Sequence, residues 1–151
     1  MSYNKLLIEA DKQNIIVKEI NFKEHDGLCV GNVILIKESL SEKEKKCVLA
    51  EELGHFHKTV GNITDQTNMD NRKQELIARK WGYEKLVGLV DLINAYNSGI
   101  KNRFELAEFL DVTDDFLNDS IEYYKSKYGT HYEINNYTIY FEPSFGILKL
   151  F

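Results

Sequence analysis

Between Val48 and His57 the chain reads VLAEELGHFH, a run that puts metal-binding and proton-transfer side chains on a single helix. It departs at one position from H-E-x-x-H, the spacing by which zinc hydrolases place two ligands four residues apart on one helical face with a carboxylate beside them. Glu52, the spacers Leu53 and Gly54, and His55 match that pattern, and Glu51 stands where the first His would be. Glu51 and His55 can therefore grip one metal ion while Glu52 acts as a base. A hydrolytic metal centre needs a third protein ligand from another element and a fourth position open to water. Glu75 is the best candidate, because it lies on the next helix in a stripe with Ala78 and Gly82, small residues that let another backbone approach closely.

Each of these residues also has an ordinary reading. Adjacent glutamates commonly belong to a solvated helix face, and a lone His is commonly a surface or satisfied core residue. It is the combination, E-x-L-G-H in a capped helix followed by a Glu on a second helix, that favours a metal site. His57, two residues past His55, is open to several readings: an additional ligand, an oxyanion donor, a substrate contact, or a partly exposed side chain in a fraying turn. His25 and His131 have no partners that spacing suggests.

The elements that must position these groups are legible from patterning. Ser2 to Gln13 suits a short helix and Ile15 to Phe22 a strand, while Gly31-Asn32 between two apolar runs is a hairpin signal. A sheet of about three strands thus precedes the motif helix. That helix starts at Ser41, with Glu44 three residues later completing a capping box, and ends near Lys58. Leu49, Leu53, Phe56 and Val60 form its inner face, and Cys47 is a small buried hydrophobe. Thr59 to Met69 reads as a loop beside the site, and Asp70 to about Tyr96 as helix, broken near Gly88.

After Ser98-Gly99 two helices flank a turn at Asp111 to Thr113 in a helix-turn-helix-like arrangement, with Thr113 as cap. From Arg103 to Tyr128, seven acidic residues against three basic ones leave a charge of −4, so this unit is expected to pack or dock on protein and not to read DNA. Tyr132 to Ile134 and Tyr137 to Phe141 form a hairpin around Asn135-Asn136, and Phe145 to Phe151 can add a strand. The fold class expected is α+β, with residues 1–97 as a core carrying the site and 98–151 as helices and a C-terminal hairpin packed on it.

Composition bounds the function further. Of 151 residues, 43% are hydrophobic and 28% charged, as in an ordinary folded domain. A net charge of −5 argues against nucleic-acid or anionic-membrane partners. No apolar run approaches the roughly 20 residues of a membrane span. The N-terminus lacks the apolar core and cleavage site of a signal peptide, and Cys29 and Cys47 make no disulfide framework, so a cytoplasmic protein is expected.

The stretches LAEELGHFHKTVGNITDQ and NRKQELIARKWGYEKLV resemble the ImmA/IrrE metallo-endopeptidases, especially forms from phages and mobile elements of Gram-positive bacteria. That family follows its motif helix with a segment bearing a Glu, an Ala, an aromatic residue and a Leu pair. The counterparts here are Glu75, Ala78, Trp81 and Leu86-Val87. ELAEFLDVTDDFL and YYKSKYG are similar to its helical C-terminal part, so the resemblance extends from about Gly27 to the end. It implies a zincin-like core, zinc as cofactor, Glu52 as general base, and His55 and Glu75 as ligands. It also implies a protein substrate, a helix-turn-helix repressor that the protease cuts to induce phage or excision genes.

Two positions depart from the family: Glu51 replaces a His ligand, and Gly88 stands where a Pro often follows. With Glu51 and Glu75 both anionic, the charge of a divalent centre falls to about zero, which makes the ion a weaker Lewis acid and widens the choice of metal toward manganese or iron. Slow or partner-triggered proteolysis is one outcome of that change. The other is a non-catalytic relative that binds the repressor and antagonises it.

Overall fold

The computed structural model describes residues 1–58 and 68–151, and their side chains apart from those of residues 58 and 68–71. Helix α1 (Tyr3–Lys12) starts at Ser2, whose hydroxyl accepts the Lys5 N–H, and it buries Leu6 and Ala10. Strands β1 (Ile16–Ile20), β2 (Gly27–Val30) and β3 (Val33–Lys37) follow in the spatial order β1-β3-β2. The expected hairpin joins β2 to β3, turning at Gly31 with φ of 60°. β1 lies parallel to β3, with Ile16 opposite Val33. The alternation in β3 buries Ile34 and Ile36 on one face.

Helix α2 (Glu42–Lys58) carries the motif. Its capping box forms as expected: Glu44 N–H donates to the Ser41 hydroxyl at 3.2 Å, and Ser41 N–H to the Glu44 carboxylate at 3.4 Å. Cys47, Leu49, Ala50 and Leu53 are buried, and Phe56 packs against the core. The expected loop after this helix lies outside the described residues as far as residue 67, as does Val60. Its last two positions, Asn68 and Met69, are not loop but the start of helix α3 (Asn68–Leu86).

α2 and α3 pack through small residues. A Cβ on Gly54 would sit 2.1 Å from the Ala78 carbonyl oxygen, and one on Gly82 would sit 3.4 Å from the Ala50 carbonyl. The chain breaks at Gly88, whose N–H donates to the Asp91 carboxylate at 3.0 Å, and resumes as α4 (Leu89–Asn97).

α5 (Arg103–Leu110) is capped by Asn102 and α6 (Asp114–Tyr128) by Thr113. This pair is tied to the rest of the protein by specific bonds. The ammonium of Lys46, fully buried on α2, donates to the Leu110 carbonyl at 3.0 Å, and Tyr124 donates to the Val87 carbonyl at 2.7 Å. Glu84 on α3 accepts from Tyr123 and, at 3.1 Å, from Lys127. Strands β4 (His131–Ile134), β5 (Tyr137–Tyr140) and β6 (Gly146–Lys149) complete an antiparallel sheet in sequence order, so the expected hairpin gains its third strand. Among the described residues the architecture is six helices and two three-stranded sheets, an α+β fold around one core reaching from Tyr3 to Phe141.

Candidate metal centre

The close contact of Gly54 with Ala78 decides what meets across the two helices. His55 follows Gly54 directly, and Glu75 stands one turn before Ala78 on the face turned toward α2. The result is that His55 Nε2 lies 3.0 Å from Glu75 Oε2. The other oxygen of the same carboxylate, Oε1, lies 3.4 Å from Nε of Arg79, one turn further along α3. The His55 side chain is 25% exposed and that of Glu75 44%, so an ion or a substrate from solvent can reach them.

Glu52 lies against the sheet, within electrostatic reach of Glu75. A Cβ on Gly27 of β2 would lie 3.1 Å from both Cγ and Oε1 of Glu52, so the strand passes close over this side chain because it has none of its own there. Burial first, then the charges of Glu51 and Glu75, push Glu52 up to about 7. At neutral pH such a group is populated in both forms, which suits a residue that takes up a proton and gives it back. Glu51 is also raised, by burial first; Arg79 opposes that rise and Glu75 adds to it. The field extends to the neighbours: burial and Glu52 together push the Cys29 thiol up to about 11.

The donor chemistry of His55 and Glu75 fits a zinc ion. Bonds of about 2.0–2.1 Å at tetrahedral angles place two donor atoms about 3.3 Å apart, within tenths of an ångström of the observed pair. Glu51 has the chemistry of a third donor and lies one turn before His55 on α2. Among the described residues, however, no three His, Cys, Asp or Glu side chains are grouped so as to hold an ion. Two donors converge, and Glu51 is not drawn into a group with them.

His57 is half-buried, its ring tilted 32° against that of Trp81 with centroids 5.0 Å apart. His25 is exposed, and His131 is exposed with Nδ1 2.9 Å from the Thr130 hydroxyl. Sequence reasoning passed over Arg79, Gly27 and Cys29. Arg79 had a signal in its i,i+4 spacing from Glu75. The approach of Gly27 to Glu52 is tertiary and had none.

Among the described residues, no helix is long and apolar enough to cross a membrane. No curated protein and no solved structure matches the chain. The family model Peptidase M78, IrrE N-terminal-like domain, matches residues 6–122, beginning well before the Gly27 at which the sequence resemblance starts and ending within α6, short of the C-terminal residues to which that resemblance extends. The motif helix, the helix bearing Glu75, α5 and the first part of α6 fall inside that match: the chain belongs to the ImmA/IrrE family and carries its metallopeptidase-like domain, with a metal as the implied cofactor and a protein as the implied substrate.

Proposed function

We propose that this chain is a cytoplasmic, metal-dependent endopeptidase in which Glu51, His55 and Glu75 hold zinc or another divalent ion and Glu52 is the general base. The observation that carries the reading is the 3.0 Å approach of His55 Nε2 to Glu75 Oε2 across two helices. A metal bound there supplies Lewis acidity toward a peptide carbonyl. Glu52 accepts a proton on its carboxylate from the attacking water and returns it to the leaving nitrogen. The substrate in this reading is a helix-turn-helix repressor of a phage or mobile element. The DNA-facing surface of such a protein is positively charged, and the net charge of −5 on this chain is complementary to it.

The second reading is a non-catalytic relative that binds the repressor and antagonises it stoichiometrically. It is favoured by the lack of a three-donor group among the described residues. Elemental analysis after purification in zinc-supplemented buffer, paired with a cleavage assay on a helix-turn-helix repressor, separates the two. The peptidase reading expects about one divalent ion per chain. That ion is lost in His55→Ala and Glu75→Ala, and Glu52→Gln keeps repressor binding while cleavage disappears. Wild-type protein that stays metal-free yet binds the repressor supports the antagonist. Cleavage that survives Glu52→Gln overturns the role given to Glu52.

A further inference from the structure

The Glu75 carboxylate is held from two sides, by His55 on the facing helix at 3.0 Å and by Arg79 on its own helix at 3.4 Å. Glu75 and Arg79 are both close to half exposed, at 44% and 49%, so solvent alone would leave the carboxylate free to rotate. Among the described residues, Arg79 meets the carboxylate at Oε1 and leaves Oε2, the oxygen turned to His55, unoccupied by its guanidinium.

We propose that Arg79 is a positioning residue for the metal centre: it turns Glu75 so that Oε2 faces His55. The inference rests on the reading of Glu51, His55 and Glu75 as ligands. The sign of the effect separates positioning from charge. A fixed cation repels a divalent ion nearby, so by charge alone removing Arg79 would tighten metal binding. Loss of an outer partner that orients a ligating carboxylate loosens it, typically by about 10–100-fold.

The test uses the whole chain as wild type, Arg79→Met and Arg79→Lys. Each is titrated with Zn²⁺ against a fluorescent chelator, and with Co²⁺ for the visible ligand-field bands. Met keeps the helix propensity and the apolar stem. The expected result for Arg79→Met is a Zn²⁺ affinity at least about tenfold weaker. Its Co²⁺ bands change in position or intensity, and its metal-free protein melts as the wild type does. Lys keeps the charge without the planar fork and recovers only part of the loss. Affinity that is unchanged or tighter in Arg79→Met overturns the proposal with the ligand set intact. A wild type that takes up neither ion overturns the ligand set, and the role of Arg79 falls with it.

Discussion

Gly54 on α2 and Ala78 on α3 meet backbone to backbone, so closely that a methyl group on Gly54 would lie 2.1 Å from the Ala78 carbonyl oxygen. Backbone cannot yield as a flexible side chain would, so the helices themselves would have to part. Gly54→Ala is therefore expected to destabilise the protein by about 3 kcal/mol or more, the upper range for overpacking. It should also weaken Zn²⁺ binding, because His55 and Glu75 flank this contact. Thermal melts and metal titration check both effects. A Gly54→Ala protein that melts and binds like the wild type would mean that another contact sets the helix spacing.

The raised proton affinity of Glu52 has a definite signature in stability. Below the ordinary value of 4.5 the group is protonated whether folded or unfolded and contributes nothing. Between 4.5 and about 7 the unfolded chain gives up its proton first, so stability falls as the pH rises. Above about 7 the whole cost of a buried charge remains. Metal-free Glu52→Gln should accordingly match the wild type at pH 4 and exceed it by on the order of 3 kcal/mol at pH 8. Urea melts at the two values decide it, and a gain confined to pH 4 would contradict the assigned environment.

Lys46 offers a test of the bond between α2 and the helical pair. Its ammonium is fully buried, with the Leu110 carbonyl at 3.0 Å and the Asp111 carboxylate at 3.7 Å. Burial lowers its proton affinity and Asp111 pulls it back. Asp111 is left-handed, with φ of 55°, a conformation Asn also tolerates, so Asp111→Asn removes the charge and keeps the backbone. A loss of about 1 kcal/mol or more is expected at pH 7. The difference should shrink at alkaline pH as Lys46 becomes neutral in the folded state, and one that widens there would exclude Lys46 as its source.

Much of the scaffold was legible because its signals are local. The Ser41–Glu44 capping box, the Gly31-Asn32 turn, the break at Gly88 and the Thr113 cap each depend on residues within a few positions of one another. The small stripe of Ala78 and Gly82 foretold a close helix crossing, and the crossing sets Glu75 3.0 Å from His55. Strand order was not legible: nothing in Ile16–Ile20 says that it lies parallel to β3 and not beside β2. Gly54 read as a mere spacer in the motif, and its use as the contact point appears only when α3 is in place. Bonds such as that from Lys46 to Leu110, 64 positions apart, leave no trace in a single sequence, since a Lys on a helix ordinarily reads as solvated.

The same buried ammonium limits what evolution can exchange. Were α5 and α6 replaced by an unrelated module, position 46 would keep its cation among apolar neighbours without an oxygen to meet it. Any such graft would have to arrive together with a neutral residue at that position. The helical pair and the motif helix are thus held as one unit, and a change in either has to preserve an acceptor for that ammonium.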